Sequence, residues 1–89
     1  MRAQVTFIVD SQTTRGVSRN LSQTGVQVEG GGLKEKDEVR LSFRLPLTRV
    51  AVDAIGSVVW EHDNRHGIRF TNVGQQSRKS ILEYTASFS

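Results

Sequence analysis

The sequence predicts an all-β fold: a small six-stranded antiparallel β-barrel with one C-terminal α-helix. Two observations predict it. Apolar and polar residues alternate with a period of two through most of the chain, the signature of strands with one buried face. From about Gln75 the spacing changes, and "QQSRKSILEYTASF" places Ile81, Tyr84, Thr85 and Phe88 on one helical stripe with no Pro or Gly inside it.

The elements follow in order. "QVTFIV" sets Val5, Phe7 and Val9 on one face, and "SQTT" reads as the turn after it. "RGVSRNLS" is extended, and "GVQVE" alternates through Val26 and Val28. The glycines Gly30 to Gly32 and "LKEKDE" read as a loop too polar and flexible to be core. "VRLSFRL" is the cleanest strand, with Val39, Leu41, Phe43 and Leu45 against Arg40, Ser42 and Arg44. Pro46 ends it, because proline cannot donate to a ladder. "RVAVDAIGSVVW" is a long strand with a bulge or bend expected at Gly56. "EHDNRH" is a turn, and "GIRF" is a short strand carrying Ile68 and Phe70 inward. There are no repeats and no linker, so residues 1–89 form one domain.

Composition narrows the function. Hydrophobic residues make up 36% and aromatics 7%, enough for a modest core of Val, Ile and Leu. Mean hydropathy is −0.38, and no apolar run is long enough to span a membrane or to serve as a signal peptide. The absence of cysteine removes disulfide scaffolds and thiolate zinc sites, and it fits a cytoplasmic location. Net charge is +3, and nine of the twelve basic residues are arginine, the side chain best suited to phosphate and to the guanine edge.

Catalysis finds no support, because the chain has no nucleophile elbow and no carboxylate pair at a useful spacing. No enzyme is expected. His62 and His66 bracket a turn and, in extended chain, lie roughly 13 Å apart, too far to share a metal. The richest segment is "TTRGVSRNLSQTGVQVE". Asn20 and Ser22 carry short polar side chains able to bond nearby backbone or an anion. Gly25 permits positive φ or close approach of a ligand to the backbone. On the local pattern alone, an Asx-turn followed by a glycine bulge is the favoured explanation of the segment.

The order of the whole chain goes further. An Arg-led first strand, "NLSQTG", "VRLSFRLP", "GSVVW" with "HGIRF", and a short helix together resemble the PilZ domain family over essentially all 89 residues. Asn20-x-Ser22-x-x-Gly25 matches that family's Asp/Asn-x-Ser-x-x-Gly hallmark. The resemblance implies a receptor for cyclic di-GMP, with no cofactor or metal. Asn20 and Ser22 would line the ligand, Gly25 would let the loop pass close, and Trp60 would add either an apolar wall or a core residue. The family's Arg-x-x-x-Arg hallmark precedes the first strand. Arg2 fits its second arginine, and the first would fall before Met1. Either the domain was cut from a longer protein or it lacks the full clamp. Arg15 and Arg19 share the spacing but sit within the second strand, where they are auxiliary at best or ordinary surface arginines.

The resemblance thus implies a cytoplasmic cyclic di-GMP receptor that relays its signal to a partner protein or fused domain by ordering its N-terminal arm. The alternative is a PilZ-like adaptor that works through protein contacts without the ligand. A DNA- or RNA-binding barrel is the third reading. It is disfavoured because Phe7, Phe43 and Phe70 share parity with aliphatic neighbours and leave no outward stacking platform.

Overall fold

Two tight hairpins set the register of the sheet. Asp10 and Ser11 (φ 48° and 68°) turn β1 (Gln4–Val9) into β2 (Gln12–Leu21). Asp63 and Asn64 (φ 50° and 60°) likewise turn β5 (Ala51–His62) into β6 (Arg65–Val73). Both central residues of each turn are left-handed, the geometry whose twist matches paired strands and which Asp and Asn tolerate. The strands therefore run closer to the turns than the sequence implies: Gln12 to Thr14 belong to β2, and Glu61, His62, Arg65 and His66 extend the second hairpin. The computed structural model describes residues 3–46 and 49–88, with the backbone alone at 87 and 88.

With β3 (Gly25–Gly30) and β4 (Glu38–Arg44) the strands close in the order β1-β2-β3-β6-β5-β4, all antiparallel. Closure leaves no open sheet edge and puts one face of every strand inside. The alternation read from sequence is the one observed. Val5, Phe7, Val28, Val39, Leu41 and Val52 have no solvent exposure, and Phe43 keeps 3%. Phe70 packs against this core. One loop assignment is corrected. Leu33, in the β3–β4 connection, is 3% exposed and part of the core, following a turn in which Gly30, Gly31 and Gly32 all have positive φ. The loop is polar at every position except the one that anchors it.

Helix α1 (Gln75–Phe88) caps the barrel beside β5. Ile81 is buried and Tyr84 packs on the core, as their spacing implies; the Phe88 side chain lies outside the described residues. Ser77 Oγ accepts the Asp53 backbone N–H (3.1 Å), which ties the first turn of the helix to β5. Among the described residues no helix is long and apolar enough to cross a membrane.

Three irregularities interrupt the ladders. Opposite Gly56 the extra residue is Thr71, on β6, so the bulge expected near Gly56 belongs to its partner strand. A Cβ at Gly56 would stand 2.6 Å from Ile68 Cγ2, so glycine leaves room for that core side chain. The other two extra residues are Arg19 in β2 and Val59 in β5. Just before Arg19, buried Ser18 fixes the start of the chain. Its N–H donates to Ala3 O (2.8 Å), and its Oγ accepts the Ala3 N–H (3.0 Å). Ser18→Ala leaves that N–H unpaired, so the expected loss is about 1–3 kcal/mol in urea denaturation, with faster hydrogen exchange at Ala3. Unchanged exchange at Ala3 would show that Ser18 does not hold it.

Candidate functional site

A bulge inserts one residue and so reverses which face every later side chain takes. In β2, Ser18 pairs with Val28 and points into the barrel; a regular strand would send Asn20 inward too. Arg19 is the extra residue. Asn20 therefore pairs with Gln27 on the outer face, where its Nδ2 donates to Gln27 Oε1 (2.9 Å). In β5 the same happens after Val58, which is buried and pairs with Ile68. Val59 is extra, and Trp60 comes to lie outside, opposite Gly67. The sequence left open whether Trp60 is a core residue or a wall. It is 38% exposed and borders an outward cleft, so it is not a core residue.

Pairing joins these residues into one row across four strands: Asn20, Gln27, Gly67 and Trp60. The Trp60 indole lies flat over Gly67, and a Cβ there would overlap Nε1, which is why this position needs glycine. The next row holds Gly25, Arg69 and Ser57. Together they frame an open cleft of about 440 Å³ lined by Asn20, Ser22, Gly25, Gln27, Trp60 and Arg69, among others. That volume lies within the usual range for small-molecule sites, about 300–1,000 Å³.

Ser22 shapes the rim. Its Oγ accepts the N–H groups of Thr24 and Gly25 (both 3.2 Å), and its own N–H donates to Gly25 O (2.9 Å). The hydroxyl, which also lies 3.2 Å from Thr24 Oγ1 and 3.3 Å from Gly25 O, thus staples the β2–β3 turn. Gly25 does not have positive φ. Its role is close approach: a Cβ would strike the Ile68 carbonyl of β6, which passes directly against it. The strand neighbour, rather than the turn, demands glycine there.

The remaining predicted positions lie elsewhere. Arg15 borders a separate depression with Thr6 and Ser42. Arg19 pairs with Glu29, whose Oε1 also sits 3.4 Å from Arg65 Nε. Glu29 is the next outward residue along β3 from Gln27, so this carboxylate and its two arginines stand at the margin of the cleft. Arg2 lies outside the described residues; Ala3, which follows it, is the residue held by Ser18. His62 is exposed and 3.2 Å from Asp63, whereas His66 is buried at 1% exposure with Nδ1 unbonded. Among the described residues no three His, Asp or Glu gather to hold a metal ion.

Sequence reasoning missed Arg69 and Gln27. Arg69 alternates with the inward Ile68 and Phe70, which marks it as outward. Its place beside Gly25, however, depends on β3 pairing with β6, a neighbour relation the order of hairpins does not give.

A family model for the PilZ domain matches residues 1–87. The chain belongs to the PilZ domain family. PilZ domains are binding and adaptor modules, and the family is one of cyclic di-GMP receptors. In fold this PilZ domain is similar to the PilZ domain of CeSA from a cellulose-synthesizing bacterium, with a TM-score of 0.74 and 16% identity over 99% of this chain and 93% of that one. It is also similar to the Bacillus subtilis inhibitor of motility MotI/DgrA, with a TM-score of 0.80 and 16% identity, covering 99% of this chain and 46% of that one. At such identities the likeness concerns the fold alone. No curated protein matches the chain in sequence.

The two glycines of this PilZ cleft separate by mutation. In Gly67→Ala the new methyl meets the free end of a surface side chain, so the indole swings out. The expected result is red-shifted emission from the single tryptophan with little loss of stability. In Gly25→Ala the methyl meets backbone, and β3 and β6 must part, at a cost of about 1–3 kcal/mol. Equal stability losses in thermal melts, with no spectral change in Gly67→Ala, would contradict the stacking of Trp60 on Gly67.

Proposed function

We propose that this domain is a cyclic di-GMP receptor and that the dinucleotide binds in the cleft across β2, β3, β6 and β5. One observation carries the reading. The motif residues Asn20, Ser22 and Gly25 share a single outward cleft with an exposed indole and an unburied guanidinium, Trp60 and Arg69. Cyclic di-GMP presents two guanines and two phosphates, and the cleft offers groups suited to one guanine and to either its edge or a phosphate. A guanine has a flat face for the Trp60 ring, and base–aromatic stacking is worth about 1–3 kcal/mol per base. Its O6/N7 edge, or a phosphate, fits the fork of Arg69. The Asn20 amide adds a donor and an acceptor at the opposite wall.

The reading also assigns a ligand contact to Arg2, which matches the second arginine of the family's Arg-x-x-x-Arg hallmark. Its neighbour Ala3 is bonded to Ser18, two positions before Asn20 on β2, so the N-terminal arm joins the barrel beside the cleft. In this reading a ligand that engages Arg2 orders the arm, and an ordered arm offers a different surface to a partner protein or fused domain. In this reading the module acts in the cytoplasm.

Calorimetric titration tests it. Cyclic di-GMP is expected to bind with micromolar affinity, and Asn20→Ala and Arg69→Ala are each expected to weaken it about tenfold, equivalent to about 1.4 kcal/mol. Glu29→Gln removes a carboxylate from the cleft margin and loosens Arg19 and Arg65, so it is expected to tighten binding severalfold, most at low salt. Absence of heat at high micromolar ligand would sink the receptor reading and leave the ligand-free adaptor.

A further inference from the structure

The barrel has a second outward face, made by the early part of β2, by β1 and by β4, and nothing in the cyclic di-GMP reading uses it. We propose that this face is a docking surface for an acidic, extended segment of a partner protein.

Register places its residues. Arg15, Thr6 and Ser42 form one outward row across β2, β1 and β4. Arg44 and Gln4 stand on one side of that row, and Arg40 and Ile8 are paired on the other. Between Thr13 and Val17 of β2, Gln4 and Ile8 of β1, and Arg40 and Arg44 of β4, the outward positions carry three arginines, and the carboxylates stand at the border, Asp53 paired with Ser42 on β5 and Glu38 next outward from Arg40 on β4. The centre is a depression of about 450 Å³ whose polar lining is Gln4, Thr6, Arg15, Ser42 and Arg44.

These cations are unspent. Arg15 and Arg40 have no hydrogen bond or ion pair among the described residues, and Arg44 gives one N–H to the Arg49 carbonyl (2.9 Å). On the cleft side, by contrast, Glu29 engages both Arg19 and Arg65.

The chemistry of the face selects the partner. Side chains on one side of an extended segment repeat at about 6.8 Å, the same step that separates Arg40, Ser42 and Arg44 along β4. Carboxylates four residues apart in such a segment therefore reach both arginines and meet the hydroxyls between them, with bidentate pairing available at each guanidinium. Ile8, 40% exposed beside Arg40, offers an apolar contact that a peptide side chain can use and a phosphate backbone cannot. No aromatic residue stands outward on this face among the described residues, so the stacking platform that single-stranded nucleic acid uses is missing. β2 carries both surfaces, with Arg15 on the docking face and Asn20 on the cleft, separated by the Arg19 bulge.

The test is fluorescence anisotropy with a labelled peptide bearing glutamate at every fourth position, a glutamine-for-glutamate control, and a single-stranded oligonucleotide of equal charge. The acidic peptide is expected to bind, and the glutamine control is not. Arg40→Glu/Arg44→Glu is expected to weaken binding at least about tenfold. Lys34→Glu/Lys36→Glu, which changes net charge equally in the β3–β4 loop, is expected to leave it within about twofold, with folding of both variants checked by circular dichroism. Three results would overturn the proposal: equal losses in the two variants, tighter binding of the oligonucleotide than of the peptide, or self-association of the chain through this face in sedimentation. Because no cyclic di-GMP is present, failure of the receptor reading leaves this experiment unaffected.

Discussion

A closed barrel of this size must fill its interior with one half of every strand, and that constraint governs what the outside can do. Most inward positions are taken by Val, Leu, Ile and Phe, so a residue meant for a ligand outside the barrel has to fall on the opposite parity. Asn20 and Trp60 do not fall there by counting, since each lies two residues after a buried neighbour, Ser18 and Val58. One inserted residue on each strand, Arg19 and Val59, moves them outside. The bulges stand on opposite sides of the β3–β6 pair, so the residues they release face the same patch from its two edges. The cleft is therefore a consequence of two local departures from the pattern that builds the core.

Glycine completes the arrangement by bringing surfaces together. Gly67 lets the indole lie on backbone, which keeps a large aromatic flat and half exposed without a hydrophobic pocket to hold it. Gly25 lets β6 pass against β3, which brings Arg69 next to the turn that Ser22 staples. Ser18, the polar residue buried beside the bulge, ties the entering chain to the same end of β2. Packing, turn and chain entry thus meet within the five residues Ser18 to Ser22, at the end of β2 and into the turn after it, the stretch that also carries the Asn-x-Ser part of the family hallmark.

Most of the fold was legible in the sequence because it rests on alternation and length. Six strands, a closing helix and the inward set all follow from period and breakers, whereas the irregularity expected at Gly56 lies on β6 at Thr71. The hairpin tips were less so: Asp10-Ser11 and Asp63-Asn64 are two-residue turns inside longer polar runs, and polarity alone does not say where pairing stops. Leu33 was hidden because one apolar residue in a charged loop has no periodicity. The site was legible only as residues. The motif marked Asn20, Ser22 and Gly25, but the cleft that gathers them with Trp60 and Arg69 depends on β3–β6 pairing and on unmarked bulges. Arg15 and Arg19 show the converse: a spacing of four resembles a clamp, while the bulge and Glu29 send the two side chains to different surroundings.

The measurement closest to the central claim is a cyclic di-GMP titration followed by NMR at the Asn20 side-chain amide, the Trp60 indole N–H and the backbone of Gly25 and Arg69. The account predicts that these signals move together along one binding curve while Thr6 and Ser42 on the opposite face stay fixed. Signals of Asn20 and Trp60 that remain still at saturating ligand, or shifts confined to β1 and β4, would contradict it.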